Sequence, residues 1–123
     1  MEILTKKVNQ RELKEISKKD FGDMETEIIK CVVDVEKLIM GVSAEYHSDI
    51  EELLLNEGLN QENLFGLNLI WGDLKIQFQS MLNIPWNLQH GYRDVENKMV
   101  ISDKDMQEKM IKVVDLWVEG WTL

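Results

Sequence analysis

Residues 64–84, LFGLNLIWGDLKIQFQSMLNI, decide the fold because they contain two apolar runs separated by Gly72-Asp73. Gly followed by Asp is typical of a two-residue hairpin turn, in which Gly supplies a positive φ. This turn places Leu69 opposite Ile76. Because side chains alternate along a strand, the turn also assigns both faces of this central hairpin.

One face of the central hairpin is apolar and the other is mainly polar. The apolar face is predicted to contain Phe65, Leu67, Leu69, Trp71, Leu74, Ile76 and Phe78. The opposite face is predicted to contain Gly66, Asn68, Ile70, Lys75, Gln77 and Gln79. A register slip of one residue would mix the two sets, so their separation supports the register.

Length and composition predict a single domain spanning residues 1–123. The chain has 44% hydrophobic residues, enough for a core, and a formal net charge of −9. An acidic protein repels phosphates and anionic lipids, so we expect neither a nucleic-acid nor a membrane partner. Residues 1–20 lack the apolar core of a signal peptide, and no apolar run is long enough to span a membrane. These features predict a cytoplasmic protein.

The first part of the chain is predicted to contain an extended segment and two helices. Residues 2–8 form a short strand or a lead-in. Asn9 is the expected N-cap of the first helix, and Glu12 completes a capping box. Gly22 interrupts the helical pattern, and residues 23–30 are interpreted as a short second helix.

A second hairpin is predicted before the central one. Val and Ile are dense at its start, and alternation with period two then continues over ten residues, which a helix does not produce. The predicted strands cover residues 31–35 and 38–46, with a turn near Glu36-Lys37. The first strand then places Val33 inward and Asp34 outward.

A third helix follows the second hairpin. Ser48 is its predicted N-cap, Glu51 completes a capping box, and Gly58 lies where the helix ends. The two hairpins and the helices together predict an α+β domain with a single antiparallel sheet built from two hairpins and helices packed mainly on one face.

The C-terminal part is predicted to be less regular. The second strand of the central hairpin is extended to Ile84 and is ended by Pro85. Residues 85–101 are interpreted as a long loop with a short strand at 98–101. The last helix is predicted to begin after Ser102 as its N-cap.

The polar face of the sheet is the candidate site. Its residues are Asp34, Ser43, Glu45, His47, Gly66, Asn68, Lys75, Gln77 and Asn83. Gly41 and Gly66 lie on this side, and a glycine within a strand often marks the close approach of a ligand or another backbone. A one-sided antiparallel sheet also has a solvated polar face without any function. The functional hypothesis is a shallow site with His47 and Asn68 at its centre.

The irregular loop adds a further candidate. Arg93 lies near Trp86, His90 and Tyr92, and an Arg beside aromatic rings can bind a carboxylate or a phosphate. Alternatively, the segment is a surface loop with Trp86 packed against the core. The predicted ligand-binding residues are Asp34, Glu45, His47, Asn68, Gln77, Asn83 and Arg93.

The pattern His47-x-Asp49-x-Glu51 supplies the candidate catalytic residues. On a strand these side chains would share a face and could hold a metal. The capping box at Ser48 predicts a helix instead, in which residues two apart point in different directions. No metal site and no cofactor are therefore predicted. The alternative function is a small hydrolase-like enzyme, with or without a metal ion, that uses His47 with Asp49 or Glu51.

The segment YHSDIEELLLNEGLNQENLFGLNL, preceded by VVDVEKLIMGV and followed by SMLNI, resembles a family of small uncharacterised bacterial proteins. The family pattern is V-V-D-[IV]-E, then H-x-D-x-E-x-L-L, then G-S-x-Q-x-D-L-W-G-x-N, then S-L-I-N-I. The matching polar positions are Asp34, Glu36, His47, Asp49, Glu51, Gln61, Gly66, Asn68 and Asn83. The chain departs from the pattern at Leu59, Asn63 and Phe65, and at Pro85-Trp86, where the family has Arg-Pro. The resemblance supports the fold and implies no activity.

The sequence as a whole favours a non-enzymatic intracellular protein. We expect it to bind a protein or small-molecule partner on the polar face of its sheet. A homodimer is possible where an edge of the sheet is uncovered.

Overall fold

A computed structural model of the chain describes residues 1–22, 27–92 and 97–121. In these ranges it contains one five-stranded antiparallel sheet and four helices, which confirms the predicted α+β fold. The strands are β1 (Glu2–Ile3), β2 (Ile28–Asp34), β3 (Ile39–Val42), β4 (Leu64–Ile70) and β5 (Lys75–Gln77), in the spatial order β1-β3-β2-β4-β5. The helices are α1 (Gln10–Phe21), α2 (His47–Asn56), α3 (Ile84–Gln89) and α4 (Lys104–Trp117). None of the helices in the described ranges is both long and apolar enough to cross a bilayer.

Both hairpins have the predicted register. Leu69 pairs with Ile76 between β4 and β5, and Val33 pairs with Met40 between β2 and β3. The predicted two-residue turn at Gly72-Asp73 is wrong, because the chain turns over residues 71–74. The positive φ falls on the last residue of this loop, Leu74, at 52°, since a longer hairpin loop needs its left-handed residue at a different position.

The apolar face of the central hairpin forms the main core with α1 and α4. Phe65, Leu67 and Leu69 are at most 2% exposed. The remaining predicted members of this face are partly buried and pack against the same core, namely Trp71, Leu74, Ile76 and Phe78. The assignment of the two faces is therefore confirmed.

Helix α2 lies on the opposite face of the sheet. Ile50 and Leu54 are fully buried there in a second cluster with Val32. A Cβ atom at Gly41 would lie 2.6 Å from Ile50 Cγ2, so the missing side chain allows α2 to pack directly on β3. The face predicted to be polar is consequently covered in part, and only its remainder is accessible.

Three predictions about β2 and β3 are wrong. Residues 28–30 belong to β2 and not to the predicted helix, because β2 pairs with β4 from Ile28 onward. Residues 23–26 of that predicted helix lie outside the described residues. β3 ends at Val42 and not at residue 46, since Ser43 has a φ of 69°. Asp34 is fully buried and not directed into solvent. Its Oδ1 accepts hydrogen bonds from the backbone N–H groups of the next loop, at Glu36 and Lys37.

The segment after β5 is more regular than predicted. A 3₁₀ turn, Met81–Asn83, leads into α3, so the strand does not continue to Ile84. Pro85 lies in the first turn of α3, where a missing N–H breaks no intrahelical hydrogen bond. The strand predicted at residues 98–101 is reduced to a single bridge between Val100 and Gln79.

The helix caps agree with prediction at two positions. Both hydrogen bonds of the capping box between Asn9 and Glu12 are present. Gly58 has a φ of 88° and follows the end of α2, as predicted. Each of these signals is a short-range relation that depends little on the rest of the fold.

Two predicted N-caps are wrong. α2 begins at His47, one residue before Ser48, and its start has no side-chain cap. The N-cap of α4 is Asp103 and not Ser102, because the Asp103 carboxylate accepts from the backbone N–H of Met106.

Candidate functional site

Three polar side chains lie side by side on the face of the sheet that carries α2. Lys30 on β2 pairs with Asn68 on β4, and Asn68 pairs with Gln77 on β5. Residues paired in this way present their side chains to the same face at close spacing. With His47, the first residue of α2, these residues form the group that we call the polar row.

His47 is fixed over β4 by a hydrogen bond of 2.9 Å between Nε2 and the carbonyl oxygen of Leu67. Because a carbonyl oxygen only accepts, Nε2 carries the proton and Nδ1 remains an acceptor. Burial lowers the pKa of His47 below its usual 6.5, and the positive charge of Lys30 acts in the same direction. The hydrogen bond to Leu67 opposes that shift, and so does the nearby Asn68 side chain. The imidazole is therefore neutral at pH 7.

Asn68 is the most enclosed member of the polar row, with 6% exposure. Its amide nitrogen donates to Gln77 Oε1 at 2.9 Å and to the carbonyl oxygen of Gln79 at 3.3 Å. Its Oδ1 is buried and has no hydrogen-bond partner among the described residues. A buried acceptor without a donor costs about 1–3 kcal/mol, so this atom requires an explanation.

Lys30 is held at the rim of the polar row by two contacts. Its ammonium donates to the carbonyl oxygen of Glu45 at 2.7 Å and lies 5.5 Å from the centroid of the Tyr46 ring. An ammonium has three N–H donors, so this geometry leaves donors for a further acceptor. The row thus combines a fixed cation with a free amide oxygen and a neutral imidazole.

Gly66 lies next to Asn68 in β4 and makes room for neighbouring side chains. A Cβ atom there would lie 2.2 Å from Ser80 Cβ and 3.2 Å from His47 Cδ2. The close approach predicted at the two strand glycines, Gly41 and Gly66, is thus made by side chains of the protein itself.

Asn83 also contacts Gly66, and it does so through hydrogen bonds. Its Oδ1 accepts from the N–H of Gly66 at 2.9 Å, and its Nδ2 donates to the carbonyl oxygen of Gly66 at 3.0 Å and to that of Met99 at 3.1 Å. The amide therefore replaces a neighbouring strand where β5 has ended. Asn83 is fully buried, so the structure assigns it to the support of β4.

Residues 2–116 match a family model described as "Protein of unknown function (DUF5674)". The chain belongs to the DUF5674 family. This match confirms the resemblance to a family of uncharacterised proteins, and its description names no activity. No curated protein and no solved structure matches the chain. A function for this DUF5674 protein therefore has to be argued from its own residues.

The predicted ligand-binding residues of the DUF5674 chain do not form one group. His47, Asn68 and Gln77 lie together in the polar row. Asp34 lies at the other end of β2 and pairs with Leu64. It lies four residue steps along the strand from Lys30, a distance of about 13 Å at roughly 3.3 Å per step. Arg93 lies outside the described residues.

The predicted catalytic residues are also separated. Asp49 lines a cleft on the outer side of α2, together with Glu45. In the described ranges, no hydrogen bond or ion pair joins His47 to Asp49 or Glu51. The described residues contain no group of three His, Cys, Asp or Glu side chains that could hold a metal ion.

The aromatic residues after β5 pack against the core. Trp86 contacts Phe65 edge-on, with ring centroids 6.1 Å apart, and stacks on His90 at 4.0 Å. Of the two interpretations of this segment, the structure agrees with the one that places Trp86 on the core.

Sequence reasoning missed Lys30 and Tyr46. The helix predicted at residues 23–30 includes Lys30, although Ile28, Lys30 and Val32 alternate with apolar neighbours as a strand would require. Extending β2 by this alternation would have placed Lys30 on the polar face. No local pattern predicts the contact between Lys30 and Tyr46, since the two residues meet only through the turn into α2.

Proposed function

We propose that this DUF5674 protein is a non-enzymatic binding protein whose site is the polar row of Lys30, His47, Asn68 and Gln77. The observation that carries the proposal is the buried Oδ1 of Asn68, which has no partner among the described residues. A ligand with an N–H or O–H group at this point would complete its hydrogen bonding and remove a cost of about 1–3 kcal/mol.

The other members of the row narrow the class of ligand. The ammonium of Lys30 favours an anionic group, and a charge-assisted hydrogen bond is stronger than a neutral one. Nδ1 of the neutral His47 ring can accept a second donor. The expected ligand is a small organic acid in which a carboxylate lies near an N–H or O–H group.

The alternative, a hydrolase that uses His47 with Asp49 or Glu51, has less support. A catalytic imidazole needs a nucleophile or water on one nitrogen and an orienting group on the other. The carbonyl oxygen of Leu67 can orient the His47 ring, but Asp49 lines a different surface, and among the described residues neither Asp49 nor Glu51 bonds to the imidazole. A melting temperature that rises with zinc or manganese and falls with a chelator, and that no longer does so in His47→Ala, would favour the enzyme.

We also propose that the protein acts in the cytoplasm of a bacterial cell and that its partner is a small molecule or a protein. A homodimer through the sheet edges has weak support, because β1 contains two residues and β5 three, with Lys75 exposed. Short, charged edge strands resist pairing with another chain. Sedimentation of the purified protein tests the dimer.

The binding proposal can be tested by titration with N-acetylglycine, which carries a carboxylate beside an amide N–H. Nitrogen-edited NMR spectra should show shifts of the Asn68 side-chain amide and of the backbone at Lys30. Acetate, which lacks the N–H group, should bind more weakly. Lys30→Met keeps the aliphatic stem and should weaken binding by about tenfold, because it removes a charge-assisted hydrogen bond.

The matched control is Lys112→Met, which removes one positive charge from an exposed position on α4. It should leave the affinity unchanged. Equal binding by the two variants, or shifts that avoid Asn68, would overturn the polar row as the site.

A further inference from the structure

We propose that a second site of this protein, an acidic cleft beside α2, binds a linear aliphatic polyamine. The cleft has a volume of about 810 Å³. It lies between the end of α1, the segment that follows β3, and one side of α2. Asp20, Glu45, Asp49 and Glu52 supply carboxylates to its lining.

One side of α2 faces the cleft because of helical spacing. Asp49, Glu52 and Asn56 follow each other at intervals of three and four residues, which places their side chains along the same side of a helix. Ile50 and Leu54 point toward the sheet and are fully buried. The acidic side of α2 is therefore fixed by the packing of its apolar side.

The carboxylates of the cleft are poorly neutralised by the protein. Within residues 1–22, 27–92 and 97–121, Asp20 accepts from the amino group of Met1, whereas Glu45, Asp49 and Glu52 make no ion pair. Like charges at this helical spacing repel each other and weaken the helix. A bound cation would relieve that repulsion.

Ser43 provides a second, independent observation that points to a ligand. It lines the cleft, is 1% exposed, and its Oγ has no hydrogen-bond partner among the described residues. Its backbone N–H donates to the carbonyl oxygen of Lys30 at 3.0 Å, which holds the residue at its positive φ of 69°. A buried hydroxyl without a partner can accept a hydrogen bond from an ammonium group of the ligand.

The lining of the cleft matches an amine with a methylene chain. Phe21, Ala44 and Leu53 add apolar surface to the cleft that the carboxylates line. Ammonium groups separated by short methylene segments would contact both kinds of surface at once. A compact divalent cation fits less well, because the described residues offer no group of three ligating side chains.

The proposal is tested by titrating the full chain with spermidine at constant ionic strength, followed by NMR. Resonances of Ser43, Ala44 and Leu53 should shift, while the Asn68 side-chain amide stays in place. The double variant Asp49→Asn/Glu52→Gln should bind about tenfold more weakly, because it removes two exposed carboxylates and each exposed ion pair contributes only a small factor to the affinity.

The matched control is Asp105→Asn/Glu108→Gln on α4. It removes the same two charges at the same helical spacing from exposed positions outside the cleft. This variant should bind spermidine as the unmodified protein does. Equal losses in the two double variants would overturn the proposal, because they would reduce the effect to net charge.

A further pair of variants tests the hydroxyl. Ser43→Ala should weaken spermidine binding, and so should Ser43→Gly, which also lacks the hydroxyl but tolerates the positive φ of 69°. Full affinity in Ser43→Ala would contradict the role of Oγ. If Ser43→Ala fails to fold, as judged by circular dichroism, the two double variants decide the outcome.

Two competing ligands complete the test. Magnesium chloride at the same ionic strength should not shift the cleft resonances with the affinity of spermidine, and equal affinity would overturn the proposal. A lysine-rich peptide that binds more tightly than spermidine would assign the cleft to a protein partner and overturn its assignment to a free polyamine.

Discussion

The two faces of the central hairpin are covered in different ways. On the apolar face, Leu67 and Leu69 are fully buried in one continuous core with α1 and α4. On the opposite face, separate contacts cover separate points of the sheet. Ile50 of α2 lies over Gly41, Ser80 lies over Gly66, and the Asn83 amide completes the edge of β4.

This difference explains why only one of the faces carries candidate sites. A continuous apolar core leaves no polar atom exposed to a ligand. Where coverage is made of separate contacts, gaps remain between them. Two buried polar atoms without a partner among the described residues are found near α2: the Oγ of Ser43, a residue that lines the cleft beside this helix, and the Oδ1 of Asn68, whose side chain lies close to His47.

The largest effect is expected from a charge on the apolar face. Leu69→Asp should prevent folding, because burying an unpaired carboxylate costs more than the ~5–15 kcal/mol that stabilises a typical domain. The protein should lack dispersed NMR signals and cooperative melting. Gln77→Glu is the control, since it adds a carboxylate at an exposed position of the opposite face. A soluble Leu69→Asp protein that melts cooperatively would contradict the face assignment.

The apolar face could be predicted because it depends on local alternation. One turn position fixes the register, and every second residue then follows. The start of α1 could be predicted for the same reason, since Asn9 and Glu12 bond within one turn. The capping-box pattern at Ser48 predicts the wrong start for α2. The helix begins one residue earlier, at His47, whose ring donates a hydrogen bond to the carbonyl oxygen of Leu67 on β4.

The candidate site could be predicted only in part. Alternation predicts that Asn68 and Gln77 share one face, and His47 is predicted to lie with Asn68 at the centre of the site. Lys30 was missed, because its position depends on pairing with the distant strand β4. Asn83 was assigned to ligand binding, although its use by the backbone of Gly66 becomes visible only once α3 replaces the predicted strand.

A smaller effect on stability is expected at Gly66, on the face of the sheet that carries α2, where the missing side chain makes room for Ser80. In Gly66→Ala the new Cβ would lie 2.2 Å from Ser80 Cβ, so the neighbouring segment has to move. Overpacking of this kind typically destabilises by about 1–3 kcal/mol. Urea denaturation should show the loss.

Two further variants test whether the clash with Ser80, and not alanine itself, causes the loss of stability. Ser80→Gly removes the clashing atoms, so the double variant should be less destabilised than the sum of the two single changes. Gly72→Ala is the matched control, since no atom lies within 4 Å of its added Cβ and Gly72 does not have a positive φ. Equal stability of Gly66→Ala and Gly72→Ala would contradict the close packing of Ser80 against Gly66.

The smallest effect is the pH dependence of folding stability that arises from His47, on the face of the sheet that carries α2. Its pKa is lowered by burial, so the unfolded chain takes up the proton first as the pH falls. The stabilising contribution is complete above the unfolded pKa of about 6.5 and is lost as the pH falls from there toward the folded pKa. The urea midpoint should therefore decrease between about pH 7.5 and about pH 5.5.

His47→Gln keeps an N–H donor for Leu67 and should reduce this decrease, whereas His90→Gln, at an exposed position, should not. The same decrease in both variants would show that the imidazole of His47 is not shielded from solvent by the contacts of this face.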